Sequence, residues 1–130
     1  MKQKTNQVSK AVLDGIVERD FLGIRLEDID YLLDPSKNID EYVSTAEQSN
    51  DESRKQRLRC DLQNINLSGY NSLFVSIEFS KKCSLTMDEL EPINEVLSQV
   101  KENVPITWSV GTDNSLGNSV SVSIFGERSM

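Results

Sequence analysis

Residues Ser72 to Phe79 alternate cleanly, with Leu73, Val75, Ile77 and Phe79 on one side and Ser76 and Glu78 on the other. The same period returns at Ile106, Trp108 and Val110 and again at Val120, Val122 and Ile124, where Ser119, Ser121 and Ser123 take the opposite side. A period of two sends successive side chains to opposite faces, so each segment reads as a strand with one face on a core and one in water. Between the first two strands, Leu90, Ile93, Leu97, Val100 and Val104 recur at spacings of three and four, which predicts an amphipathic helix from Leu85 to Val104. Thr86 followed by Glu89 is a capping box for its start. Pro92 is expected to bend it, because the ring and the missing N–H interrupt the ladder, and Pro105 ends it.

The N-terminal half has weaker periodicity. Thr5 to Ile16 reads as a helix carrying Val8, Ala11, Val12 and Ile16, and Leu22 to Leu33 as another with Leu22, Leu26, Ile29 and Leu33 aligned. Asp34 and Pro35 break that pattern, and Glu41 to Ala46 reads as a strand. Asp51 to Gln63 is expected to be a charged surface helix, with Ser49 and Glu52 as its capping box and Leu58 and Leu62 as its apolar anchors. Strands and helices in this order predict an α+β fold: a two-layer sandwich with a small mixed four-stranded sheet and its helices gathered on one face.

A chain of 130 residues builds one core and is short for two, so residues 1–130 are read as a single domain. The 37% hydrophobic and 27% charged content suits a folded globular chain. A net charge of −7 argues against nucleic acid and against an anionic membrane surface as partners, since both are themselves negative. No apolar run is long enough to span a bilayer, and Met1 to Gln7 lacks the apolar stretch of a signal peptide, so a cytoplasmic location is expected. Cys60 and Cys83 are expected to be reduced thiols.

The chain has no histidine, which removes the commonest general base, the nucleophile pairs that depend on it and the usual zinc set. Its six glycines never cluster into a phosphate loop. Carboxylate runs such as Glu27, Asp28 and Asp30, or Asp88, Glu89 and Glu91, read as solvated helix faces. No catalytic residue, cofactor or metal is therefore expected. Arg54, Lys55, Arg57 and Arg59 also read as a solvated face, against the alternative of a small-molecule or enzymatic site lined by these arginines at an oligomer interface. Trp108, the only tryptophan, is expected to pack under the long helix.

From Asn66 to Gly126 the chain resembles the C-terminal domain of FtsZ, the bacterial tubulin homologue. "LSGYNSLFVSIEFSKKCSLTMDELEPINEVLSQ" is similar to that family's Leu-Ser-Gly, strand, and Leu-Thr at a helix start, and "ITWSVGTDNSLGNSVSVSIFG" to its next strand, Asp-x-x-Leu-Gly and last strand. Upstream, "GIVERDFLGIR" resembles the family's Gly-Leu-Ile-Asn-x-Asp-Phe loop. The resemblance implies that Asp113, Asn114 and Gly117 form a tight structural turn between the last strands. It implies that Glu18, Arg19, Asp20 and Phe21 form the loop that in FtsZ filaments presses against the GTP of a neighbouring subunit. Of that loop's acids, Asp20 is kept, the asparagine is Glu18 and the last acid is Gly23, which supplies no carboxylate, so Asp20 reads first as a turn or N-cap residue before a helix starting near Phe21 and only second as an acid acting on a neighbour's GTP. No counterpart of the family's GTP-binding half or of its tail peptide is expected in these residues. The expected function is a non-catalytic protein-interaction domain that binds or caps FtsZ-type filaments or self-associates.

Overall fold

A computed structural model describes residues 2–5, 8–49 and 53–128, with backbone pairing alone for 2–5. The elements in chain order are β1 (Lys2–Thr5), α1 (Lys10–Arg19), α2 (Leu26–Ile29) running into a 3-10 turn (Asp30–Leu33), β2 (Asn38–Glu47), α3 (Arg54–Leu62), β3 (Ser72–Phe79), α4 (Glu91–Leu97), β4 (Ile106–Thr112) and β5 (Ser119–Arg128). The sheet order is β1-β2-β5-β3-β4. The expected mixed four-stranded sheet is β2-β5-β3-β4, and β1 adds an antiparallel ribbon beyond β2. β5 runs antiparallel to both β2 and β3, while β3 and β4 are parallel and joined through α4. None of the described helices is long and apolar enough to cross a membrane.

The helices lie on both faces, not on one. Leu73, Val75, Ile77, Val120, Val122 and Ile124 pack with Leu58, Leu62, Ile93 and Leu97 of α3 and α4, and Ile106, Trp108 and Val110 close the margin of this cluster as expected. Phe74 and Phe125, one residue out of phase, face the other way and stack at 5.6 Å. Leu13 and Ile16 of α1, Ile29, Leu32 and Ile39 cover them in a second buried cluster. The alternation in β3 was therefore incomplete as a solvent signal: an aromatic at position 74 requires a cover, and Ser76 is buried too.

Local chemistry shifts several boundaries. The expected helix over Thr5 to Ile16 starts later, because Ser9 is its N-cap and accepts from the Ala11 N–H, and the buried face is Leu13 and Ile16 with Val12 exposed. The expected helix over Leu22 to Leu33 contracts to α2 and its 3-10 turn, after a loop that Gly23 enters with φ +90°. α3 is capped by Ser53, whose Oγ accepts from Gln56, and not by Ser49; Glu52 of the expected box lies outside the described residues. The Thr86–Glu89 capping box is present, with the Thr86 N–H donating to Glu89 and the Glu89 N–H to Thr86. The helix it was expected to open is broken into a 3-10 turn (Asp88–Leu90) and the short α4. Pro92 is the second residue of α4, where its missing N–H has no helical acceptor to lose, so it starts this helix without bending it.

Arg54 and Glu89 overturn the reading of their segments as solvated faces. Both are buried, and they form a bidentate pair at 2.7 Å for each bond. Arg54 also donates to the carbonyls of Cys83, Asn118 and Ser84, so all five of its N–H groups are engaged and α3, the strand connection and the last corner meet on one side chain. Burial opposes ionisation of Glu89, but the hydrogen bonds from Arg54 and Thr86 win and hold its carboxyl below the usual range. Lys55, Arg57 and Arg59 stay nearer the surface and pair with Asp88 and Glu91, Asp61, and Glu91 and Glu95 respectively. Arg54→Met would strand the Glu89 charge inside the fold and is expected to cost about 3–5 kcal/mol in urea unfolding, whereas Arg54→Met with Glu89→Leu should recover most of that loss.

Candidate functional site

The segment expected to carry function leaves the C-terminus of α1. The Asp20 N–H donates to the Ile16 carbonyl at 2.9 Å, and Asp20 itself turns extended, ending the helix. Its carboxylate then organises the loop that leads to α2. One oxygen accepts from the N–H groups of Leu22, Gly23 and Ile24 at 3.0, 2.7 and 2.9 Å. The other accepts from the Ser109 hydroxyl at 2.8 Å and the Val110 N–H at 3.1 Å, both on β4. Burial pushes the Asp20 carboxyl upward, but the hydrogen bonds from Ile24, Ser109, Gly23 and Val110 outweigh it and leave the group more acidic than an ordinary aspartate.

The loop is held to the sheet by backbone and charge as well. The Phe21 N–H donates to the Val110 carbonyl at 2.9 Å. Gly111 permits the approach, since a Cβ there would stand 2.6 Å from the Arg19 carbonyl oxygen. Arg19 pairs with Glu78 of β3 at 2.6 Å, and that hydrogen bond raises the already high pKa of the guanidinium. Glu18 is exposed on the last turn of α1. Phe21 is 58% exposed with its ring edge-on to Phe79 at 6.2 Å, and Leu22 is 55% exposed. Arg19, Asp20 and Phe21 are thus brought onto the sheet margin, and Glu18 stands beside them. Sequence reasoning did not identify Leu22, Glu78, Ser109 and Val110 as partners of this loop; Asp20 three residues before Gly23 was the one local signal for an Asx-type turn.

The chemistry available here is positional. A carboxylate with its oxygens filled by five donors and a lowered pKa is poorly placed to take a proton at neutral pH, and its effect is to fix the tip that carries Phe21 and Leu22. Among the described residues no cluster of His, Cys, Asp or Glu is arranged to hold a metal ion.

The second expected position, the corner after β4, has a compact local geometry. Asp113 accepts from the Ser115 N–H and hydroxyl at 3.0 and 2.6 Å, Asn114 accepts from the Lys81 N–H at 3.1 Å, and Gly117 closes the turn at φ +60°. Of the arginines expected to line an alternative site at an oligomer interface, Arg54 borders a cleft of about 360 Å³ with Lys55, Cys83, Thr86 and Asp88, and Arg57 and Arg59 do not line it. Arg54 has no N–H left there for a ligand, because each already serves Glu89 or a carbonyl.

No family model matches the sequence, and no curated protein matches it. Among solved structures, an empty FtsZ dimer from M. jannaschii is similar over 67% of this chain and 26% of that one, at 20% identity and a TM-score of 0.48. A W319Y mutant of the same FtsZ is similar over 68% and 28%, at 20% identity and a TM-score of 0.49. A thiamine-monophosphate kinase from Stenotrophomonas maltophilia aligns over 98% of this chain and 44% of that one, at 11% identity and a TM-score of 0.35. The chain spans about a quarter of the length of the FtsZ chains.

Asp20→Ala should loosen the tip and lower stability by about 1–2 kcal/mol, the range for losing a side-chain cap. Because the folded pKa of Asp20 is depressed, its contribution is complete above the unfolded value near ~3.9 and is lost as pH falls through the lower folded value. Thermal melts of the wild type and of Asp20→Ala should therefore differ at neutral pH and converge in acid.

Proposed function

We propose that this protein is a non-catalytic interaction domain that docks on a protein partner through the tip formed by Glu18, Arg19, Asp20, Phe21 and Leu22. The observation that carries this reading is the pairing of two exposed apolar side chains with a loop anchored on both sides of one carboxylate. An ordered apolar tip loses little conformational entropy on binding, so its burial converts into affinity more fully than that of a mobile loop. The partner is an FtsZ-type subunit, suggested by the likeness of "GIVERDFLGIR" to the loop that meets the neighbour in that family. Such a partner places the protein in the cytoplasm, and docking on a subunit's exposed end would cap a filament.

Pelleting and GTPase assays of FtsZ with increasing amounts of this protein test the reading. Polymer mass and turnover should fall together, and Phe21→Ser combined with Leu22→Ser should remove the effect while leaving the thermal melt within a few degrees of wild type. No binding and no change in polymerisation at excess protein would overturn the FtsZ partner, and an effect that survives the double substitution would overturn the tip.

A further inference from the structure

The loops that lead into the parallel pair β3 and β4 enclose a cleft of about 280 Å³. One wall is the α3–β3 loop with Leu67, Gly69 and Tyr70, and the other is the α4–β4 loop with Val100, Lys101 and Val104. Gln99 ties the walls together, since its side chain accepts from the Leu67 N–H and donates to the Ile65 carbonyl, each at 2.9 Å. Asn66 fixes the turn next to Leu67 by accepting from the Ser68 N–H and hydroxyl at 3.0 and 2.6 Å, and Gly69 then takes φ +87°. Tyr70 is held by its hydroxyl on Asp40 and by Arg128 over its ring. Each wall is thus fixed by bonds outside the cleft, and the concavity is preformed.

The lining is selective in charge. The chain has 21 acidic and 14 basic residues, yet among the described residues no carboxylate lines this cleft, whereas Lys101 does. Lys101 forms no ion pair among the described residues, and the N–H groups of Gly69 and Tyr70 meet no acceptor there. The clefts beside α3 differ, because Arg59 meets Glu95 in one, and Arg54 and Lys55 meet Glu89 and Asp88 in the other. Leu67, Val100 and Val104 make the rest of the surface apolar. We propose that this cleft binds a small monocarboxylate with an apolar body, its carboxylate on Lys101 and the Gly69 and Tyr70 N–H groups and its body against Leu67, Val100 and Val104. A dianion would leave its second charge without a cation, and a cationic ligand would meet the Lys101 ammonium, so the single negative charge is the one that fits. The cleft lies at the start of β3 and β4, where Leu73 pairs with Ile106, and the Phe21–Leu22 tip lies at their other end beside Val110. Ligand and protein partner therefore use separate surfaces.

Benzoate and its neutral isostere benzamide are suitable probes, since they share size and shape and differ in charge. In amide proton–nitrogen correlation spectra of the full chain, benzoate should shift Gly69, Tyr70 and Lys101 saturably. Its Kd should be on the order of 0.1–1 mM, as expected of about nine heavy atoms with one charge-assisted contact. Benzamide should bind about tenfold more weakly. Lys101→Met keeps the apolar stem and removes the charge at an exposed position, so the fold should persist while benzoate binding falls to the level of benzamide. Added salt should weaken benzoate and leave benzamide unchanged. Equal binding of the two probes, shifts confined to other parts of the chain, or a preference for benzoate that survives Lys101→Met would each overturn the proposal. So would the lack of any saturable shift at about 10 mM benzoate, well above the expected Kd. None of these outcomes bears on docking through the tip, which Phe21→Ser with Leu22→Ser tests separately.

Discussion

Everything in this fold is referred to β5, the central strand of the five, paired with β2 along its full length on one edge and with β3 on the other. It is in register with β2 from Asn38↔Arg128 to Glu47↔Ser119 and with β3 from Ser72↔Glu127 to Phe79↔Val120. A slip of one residue on either side would exchange Val120, Val122 and Ile124 for Ser119, Ser121 and Ser123 against the α3–α4 layer, so the apolar pattern locks the register. Phe125 then has only one place to go, the opposite face, where it stacks on Phe74 and requires α1 and α2 as a cover. The position of the Glu18–Leu22 tip is a consequence, since α1 must pass over that face and end at the β4 margin.

Two polar devices fasten the periphery to this sheet in the same way. Arg54 takes carbonyls from the β3–α4 connection and from the β5 side of the last corner while pairing with Glu89, and Asp20 takes amides from its own loop and from β4. In each, one charged side chain replaces several backbone partners that a loop cannot supply to itself, satisfying buried polar groups and removing loop freedom. A related network lies at the far end of the sheet. There the Tyr70 hydroxyl donates to Asp40 and lies within hydrogen-bond reach of Tyr42, while Arg128 donates to Asp40 and covers the Tyr70 ring. Burial and the bond to Asp40 push the Tyr70 hydroxyl pKa up, so it remains a donor.

These clamps bear on function through what they leave uncommitted. Asp20 and Arg54 are saturated, which directs attention from their charges to the apolar surface and the backbone they position. The exposed pair Phe21 and Leu22 lies at the β4 margin of the sheet, where the Phe21 N–H is tied to Val110. The opposite margin is closed by β1 over the first half of β2.

The sequence by itself determined the parts whose cause is local. Period-two alternation placed β3, β4 and β5, Thr86 with Glu89 placed a helix start that the structure contains, and Asp113 to Gly117 carried the turn chemistry of the last corner. Only the tertiary structure decided the rest, because its causes are distant in the chain. Phe74 looks like a lapse in an alternating strand until Phe125 and α1 stand above it. Arg54 and Glu89 read as solvent-facing charges until folding brings them together across 35 residues. Asp20 and Ser109, 89 residues apart, meet only because β4 returns to the end of α1. Periodicity records which face of an element is apolar. It does not record which buried charge will find its partner, since that pairing is set by the packing of elements the local pattern cannot see.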